Sequence, residues 1–171
     1  ICAVILHCVN QDFLLINCYM PTLGSTQGEY DECLDELHEI ITKYDSCSLI
    51  LTGDLNGDFR RNSTPNDKKL TTFCLNHNIQ QSPKMPNQPT FYHFNGKTKS
   101  QIDHFIEKQY DLNIYEIVIS RRQALNTSTH DAVIAKLHVQ LSSTKTAQTN
   151  NDGLKPARKI RWDKLDKDKY L

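Results

Sequence analysis

The feature that most restricts the fold of this chain is a helical stripe set between two short apolar runs. Residues 29–44 carry apolar side chains three and four positions apart, with acids on the other face, and this period predicts an amphipathic helix. Thr26 followed by Glu29 resembles a capping box at its start. The flanking runs, 13–19 and 48–53, have the length and composition of buried strands. Strand, helix and strand in this order predict an α/β fold.

The remaining periodic segments contain more strands than helices. A second helix is predicted from about 65 to 77, with Thr64 as its N-cap and Pro65 in its first turn. The other predicted strands are 4–8, which forms a hairpin with 13–19, then 90–94 and 97–106 around the tight turn Asn95-Gly96, then 115–120 and 132–141. Hairpins alternate with long crossovers, so we expect a mixed α/β sandwich rather than a doubly wound parallel sheet.

Composition divides the chain at residue 141. A chain of 171 residues with 38% hydrophobic content can bury one sizeable core, and we assign residues 1–141 to it. Residues 142–171 are rich in Ser, Thr and Lys and predict a flexible polar linker that ends in a basic segment with Trp162. The formal charge of zero excludes a general attraction to nucleic acid, so any such affinity would come from local patches.

The cysteines indicate the redox compartment of the protein, and the first residues indicate how the chain begins. Six cysteines are scattered without a Cys-x-x-Cys pair, which disfavours a disulfide framework and a zinc site and favours a reducing, intracellular setting. No apolar run approaches the roughly 18 residues of a membrane span. The chain opens on strand-like residues 1–6 without a starting Met, which we interpret as a fragment cut from a longer protein.

Four polar constellations sit at the ends of apolar strands. In the segment 51–56, Leu-Thr-Gly-Asp-Leu-Asn, an extended chain would project Asp54 and Asn56 to the same side. They are either turn formers, with Gly53 easing the bend, or site residues, and the segment alone leaves both open. The other three constellations are 17–21, 100–103 and 128–131. Strand ends that deliver Tyr, Asp, Asn or His to one edge build active sites on a rigid scaffold.

These four constellations, together with one further motif at 89–91, resemble in order the motifs of the endonuclease/exonuclease/phosphatase superfamily. The matching residues are Asn17-x-Tyr19-x-Pro21, Gly53-Asp54-Leu55-Asn56, Pro89-Thr90-Phe91, Ser100-x-Ile102-Asp103 and Ser128-x-His130. More narrowly, the chain is similar to the apurinic-type endonuclease domain of non-LTR retrotransposon polyproteins. The tail segment 156–163, Pro-Ala-Arg-Lys-Ile-Arg-Trp-Asp, is similar to the linker that leads to the reverse transcriptase in those polyproteins.

The resemblance implies a four-layer, DNase I-like α/β sandwich of mixed sheets that hydrolyses phosphodiester bonds with Mg²⁺ or Mn²⁺. Asp54 would orient or deprotonate the attacking water, and Asn56 would hold that water or the phosphate. Tyr19 would contact the phosphate near the leaving group. His130 would bond the phosphoryl oxygen and would be oriented by Asp103. These roles suit a reaction that needs positioned charge and donors around an anionic centre.

Two departures from the family pattern predict an impaired or inactive enzyme. Thr129 stands where the family has an aspartate, and threonine lacks the negative charge that a hard cation prefers. Asp131 lies two residues further along and is a poor substitute. The family's Gln-Glu motif, whose glutamate binds metal, has no match before Asn17, so we expect the chain to start downstream of it. Asp54 is then the one expected metal ligand, and weak metal binding follows.

Three functions stay open. The first is a DNA-nicking endonuclease of retrotransposon origin, for which we expect DNA as the partner and a downstream reverse transcriptase domain in a longer polypeptide. We also expect a monomer without a membrane anchor, in the nucleus or the cytoplasm. The second is a catalytically silent nucleic-acid-binding or interaction remnant. The third is a phosphatase of the same superfamily, which the linker-like tail argues against.

The site hypothesis has a geometric consequence. Tyr19 and Asp103 also have plain explanations, as a strand aromatic and a strand-end carboxylate, and His104 on the opposite face is expected to pack. If the site exists, a ring nitrogen of His130 should lie about 2.6–3.2 Å from an Asp103 oxygen. A separation beyond about 6 Å would favour the turn interpretation of Asp54 instead.

Overall fold

The computed structural model describes residues 1–25, 28–110, 113–121 and 126–142. Its helices are α1 (Glu29–Lys43) and α2 (Pro65–Asn76). Its strands are β1 (Cys2–Leu6), β2 (Phe13–Tyr19), β3 (Ser48–Asp54), β4 (Ile79–Gln81), β5 (Phe91–Tyr92), β6 (Lys99–Ser100), β7 (Asp103–Lys108), β8 (Ile114–Ser120) and β9 (Ala132–Leu137). Five strands form one mixed sheet in the order β1-β2-β3-β7-β4, while β5–β6 and β8–β9 form two-stranded sheets.

The central sheet is covered on both faces because its strands alternate side chains between two cores. On one face, Leu14, Ile16, Leu49 and Leu51 pack into a core that also contains buried residues of α1 and α2. On the other face, Phe13 and Ile50 pack against Ile114 and Ile117 of β8. The predicted α/β fold of mixed sheets is therefore confirmed. The described residues show three of the four expected layers: helices, central sheet and the β8–β9 sheet.

The connections of β2, β3 and β7 bring three strand ends to one edge. β2 and β3 are parallel, with α1 lying between them in the chain, and β3 and β7 are antiparallel. The carboxyl ends of β2 and β3 therefore lie beside the amino end of β7. This edge is where the polar constellations of the sequence are placed.

The two helices begin differently. α2 begins as predicted, because the Thr64 hydroxyl accepts the Asp67 N–H at 3.2 Å and the Asp67 carboxylate accepts the Thr64 N–H at 2.8 Å. For α1 the predicted cap is wrong: the N-cap is Gly28, which has no side chain to cap the helix, and Thr26 lies outside the described residues. Neither of these helices is long and apolar enough to cross a membrane.

Two predicted strands have different limits in the structure. The predicted strand 97–106 is split, because Lys99 and Ser100 pair with β5 while the chain from Asp103 onward joins the central sheet. The second part leaves the hairpin since it can bury Ile106 completely beside Leu51 of β3. The strand predicted for 132–141 ends at Leu137, and Leu141 forms only an isolated bridge to Cys8. The predicted linker, apart from residue 142, lies outside the described residues.

All six cysteines are free, as the scattered spacing predicted. Burial raises the pKa of Cys18 and of Cys74 to about 12. Both thiols therefore stay protonated at neutral pH and serve the core as small apolar groups.

Candidate active site

Three predicted site residues form one row across the central sheet. Tyr19 is the ladder neighbour of Asp54, and Asp54 is the ladder neighbour of Asp103. Residues directly opposite each other in a ladder point to the same face, so the two carboxylates lie side by side at the strand ends. Tyr19 is 72% exposed, which excludes a role as a packed strand aromatic.

His130 completes this cluster from a loop 27 residues beyond Asp103. Its Nδ1 lies 3.0 Å from Asp103 Oδ2, and its Nε2 lies 4.0 Å from Asp54 Oδ2. The predicted contact with Asp103 is therefore present. Since a carboxylate only accepts, Nδ1 carries the hydrogen, and Nε2 is the nitrogen left to face Asp54.

The segment that carries His130 is held by its own polar side chains. The His130 N–H donates to the Ser128 hydroxyl at 3.0 Å, and the Asn126 side-chain amide donates to the His130 carbonyl at 2.8 Å. The Phe91 ring lies 4.9 Å from the His130 ring, centre to centre. These contacts restrict the imidazole to a narrow set of positions, which a general acid or a phosphate ligand requires.

Asn56 shows that the two interpretations of segment 51–56 are compatible. Its backbone N–H donates to Asp54 Oδ1 at 3.0 Å, which is the Asx-type turn, and its φ is +46°. Its side-chain amide donates to the Met20 carbonyl at 2.7 Å and so ties the turn to the end of β2. The turn holds one oxygen of Asp54 in place while the other, Oδ2, lies toward His130.

Gly53 allows the strands to approach closely enough for this row to form. Its φ is +123°, and a Cβ at this position would lie 1.9 Å from the Cys18 carbonyl oxygen. A side chain cannot be placed there without moving the backbone of β2 or β3.

Thr90 is a site residue to which we gave no role from the sequence. It is fully buried, and its hydroxyl accepts the N–H groups of Ile102 and Asp103, each at 3.1 Å. Its carbonyl accepts the Asp131 N–H at 2.7 Å. Thr90 thus joins the strand end of Asp103 to the segment of His130. The Pro-Thr-Phe motif was the only signal for it in the sequence.

His104, the neighbour of Asp103, packs on the opposite face as predicted. It is 1% exposed, its Nε2 donates to the Gly57 carbonyl at 2.8 Å, and its Nδ1 accepts from the Gln81 amide at 2.8 Å. Burial lowers the pKa of His104, which keeps the ring neutral. The ring therefore fastens the segment after Asn56 to β7.

Burial raises the pKa of Asp54 above its ordinary value, and the neighbouring Asp103 adds to the shift, while the Asn56 N–H and His130 oppose it. The cause is loss of hydration of the charged carboxylate. A carboxylate with a raised pKa is a stronger base when ionised, as a group that takes a proton from water needs to be.

Asp54, Asp103 and His130 also form a candidate metal site. They offer one ligand atom each, and these three atoms lie within 4.8 Å of one another. Carboxylate oxygens are the ligands of hard divalent cations, and Mg²⁺ commonly uses one or two of them with waters and phosphate oxygens. The donor set therefore fits a divalent metal ion. Thr129, the residue before His130, is exposed and adds no charge.

A cavity of about 630 Å³ extends from this cluster along the central sheet toward β9. Its lining includes Asp103, His130, Asn17, Thr52 and Ser128, but not Tyr19, Asp54 or Asn56. The cavity thus meets the cluster of Asp54, Asp103 and His130 at two of its members, Asp103 and His130. The chemically useful surface is the open edge around these two residues.

Comparison with known proteins gives one family and a set of structures. The sequence profile of a family described as endonuclease-reverse transcriptase matches residues 13–134. A search of curated protein sequences finds no match.

Several solved structures share the fold of this chain. The endonuclease domain of TRAS1, a telomere-specific non-LTR retrotransposon, aligns with a TM-score of 0.65 and 15% identity over 81% of this chain and 61% of that domain. The 3′ phosphatase NExo from Neisseria, bound to a product DNA hairpin, gives 0.58 and 15% over 80% and 64%. The APE2 catalytic domain of Xenopus laevis gives 0.57 and 18% over 82% and 55%. The chain thus spans less than two thirds of each.

Proposed function

Because the chain belongs to the endonuclease-reverse transcriptase family, we propose that the sheet edge at Asp54, Asp103 and His130 is the centre of a phosphodiester hydrolase that nicks DNA. The observation that carries this proposal is the 3.0 Å contact of His130 Nδ1 with Asp103, combined with the position of Asp54 beside both. If Asp54 only formed a turn, neither Asp103 nor His130 would need to lie beside it.

Each residue of the cluster has a distinct role in this proposal. Asp54, with its raised pKa, orients the attacking water and takes its proton. Asp103 acts through His130: it accepts the Nδ1 hydrogen and directs Nε2 toward the phosphoryl oxygen, to which Nε2 donates when the ring is protonated. Asn56 holds the turn in which Asp54 lies, and Tyr19 is exposed in the same row, where it can contact a phosphate.

We propose that the divalent ion is Mg²⁺ or Mn²⁺, held by Asp54 and Asp103. When bound, such an ion offsets negative charge on the leaving oxygen. Thr129 stands where the family pattern has an aspartate, so the site has one carboxylate fewer. Weak metal binding and low nicking activity follow from that loss of negative charge.

The proposal also includes a retrotransposon origin for the chain and two partners, DNA and a reverse transcriptase domain. The similarity to the TRAS1 domain and the family description support an endonuclease of retrotransposon origin that acts on DNA next to a reverse transcriptase domain. The basic tail with Trp162 supports the same origin by its resemblance to the linker.

Two other functions have an observation in their favour. The similarity to NExo supports a phosphatase that removes a terminal phosphate with the same cluster. Thr129 supports a remnant that binds nucleic acid without cleaving it. The phosphatase and the silent remnant would both contain the Asp103–His130 contact. Only a measurement of the reaction therefore distinguishes these two functions from a nuclease.

The test compares the chain with its Thr129→Asp variant on supercoiled plasmid and on a 3′-phosphorylated oligonucleotide, in Mg²⁺ and in Mn²⁺. We expect the unaltered chain to stay near background and Thr129→Asp to nick the plasmid in a chelator-sensitive manner. Release of phosphate without nicking would favour the phosphatase. Binding of duplex by both forms with neither reaction would favour the silent remnant.

A further inference from the structure

A pair of histidines on the helical layer lies apart from the cluster at the sheet edge. His38 is in α1, and His77 is the C-cap of α2. Their ring nitrogens, His38 Nδ1 and His77 Nε2, are 3.1 Å apart, and the ring planes meet at 60°. The two residues are 39 positions apart in the chain, so the packing of the helices brings them together.

The spacing of these nitrogens suits two ligands of one metal ion. With metal–nitrogen bonds of about 2.0–2.1 Å, two ligand nitrogens lie about 3.3–3.4 Å apart in a tetrahedral site, and about 2.8–3.0 Å apart at the right angles that Ni²⁺ prefers. The observed distance lies between these values, so small ring rotations bring both lone pairs onto one ion. The hydrogen now shared between the rings would move to the far nitrogen of its own ring.

The surroundings of the pair leave room for an ion and its waters. A cavity of about 540 Å³ opens at the pair and is also lined by Asp35. Among the described residues, Asp35 does not form a close three-ligand group with the two histidines. Asp31, which lines the same cavity, is paired with Lys69 at 2.6 Å. Water therefore supplies the remaining ligands.

The pair is held more firmly than two surface side chains usually are. The Phe73 ring lies 4.5 Å from the His77 ring, centre to centre, and fixes its position. Each histidine is carried by a helix that is anchored in the same core. Ordered ligands bind an ion with little loss of side-chain entropy.

We propose that His38 and His77 form a binding site for one divalent transition-metal ion, of the class of Ni²⁺ or Zn²⁺, that links α1 to α2. Imidazole nitrogen favours these ions over Mg²⁺, so the pair selects transition metals, whereas the cluster of Asp54, Asp103 and His130 also offers the carboxylates that Mg²⁺ uses. An ion bound to both helices stabilises the folded chain by mass action, because the unfolded chain does not hold the two rings together.

The test is a Ni²⁺ titration of the untagged full chain by calorimetry, with thermal unfolding measured at each metal concentration. We expect a Ni²⁺ site at the histidine pair and a rise in unfolding temperature. His38→Ala is the main variant because His38 is exposed and its replacement leaves the core intact. It should lower Ni²⁺ affinity at least tenfold and remove the rise. His77→Ala should do the same.

One control variant separates this site from other histidines. His138 is exposed and stacks on the Tyr115 ring at 4.2 Å, centre to centre, much as His77 lies on Phe73. His138→Ala should keep both the Ni²⁺ affinity and the rise. Unchanged Ni²⁺ binding in His38→Ala, or an equal loss in His138→Ala, would overturn the proposal.

Discussion

Gly53 is the residue whose backbone conformation most directly shapes the candidate site. We expect Gly53→Ala to lower the free energy of unfolding by at least about 2 kcal/mol, because its Cβ would collide with the Cys18 carbonyl and its φ is positive. Gly96→Ala is the matched control: its φ is +69°, but no atom lies within 4 Å of the added Cβ. It should lose about 1 kcal/mol. Equal losses in urea denaturation would show that the close approach to Cys18 is unimportant.

The second prediction for a single residue concerns Asp54 and the pH dependence of folding stability. Since burial raises the pKa of folded Asp54 above its unfolded value, the folded state holds the proton more tightly. The contribution of Asp54 to stability is therefore complete at low pH and is lost as pH rises through the raised pKa. Asp54→Asn should then stabilise the fold at pH 7, by about 1 kcal/mol at most.

The same variant should have little effect on stability at pH values below the ordinary aspartate pKa of about 3.9. Denaturant midpoints of both forms across this range provide the measurement. A variant less stable than the native chain at pH 7 would show that the Asp54 carboxylate serves the fold rather than a site.

Among the elements, α2 depends most on one buried charge. The Asp67 carboxylate is fully buried and accepts the N–H groups of Asp58, Ser63 and Thr64 together with two from Arg61. Burial alone would raise the pKa of Asp67, but the Arg61 pairing and these N–H groups hold it well below its ordinary value. The stability that Asp67 provides is present above the unfolded pKa and is lost as pH falls below it.

We expect Asp67→Asn to lower the free energy of unfolding by about 3 kcal/mol at pH 7, since it breaks a buried pair, and to flatten the loss of stability in acid. The control is Asp31→Asn, which breaks the exposed ion pair with Lys69 and should cost no more than about 1 kcal/mol. Similar losses in the two variants would contradict the role given to Asp67.

The elements also show what the sequence could and could not predict. The start of α2 was predictable because Thr64 and Pro65 act on local backbone. The division of the predicted strand 97–106 could not be predicted, because its second half pairs with β3, which is distant in sequence. The His38–His77 contact could not be predicted for the same reason: no spacing in the sequence connects two histidines that meet only through helix packing.

At the scale of the whole molecule, the fold brings together residues up to 111 positions apart. The family resemblance identified Tyr19, Asp54, Asp103 and His130 by residue type, and the strand register explains why three of them share a row. The role of Thr90 could not be predicted, since it depends on N–H groups of another segment that only the folded chain presents.

The central claim is that Asp54 and His130 work as one hydrolytic centre, and the most direct measurement is the plasmid-nicking rate in the Thr129→Asp background. We predict that adding Asp54→Ala or His130→Ala lowers the rate by about 10²–10⁴-fold. Adding Glu116→Gln, which removes an exposed ion pair with Lys136 on β8–β9, should leave it unchanged. A nicking rate that survives Asp54→Ala would contradict the account, and Asp54 would then be only the turn former of segment 51–56.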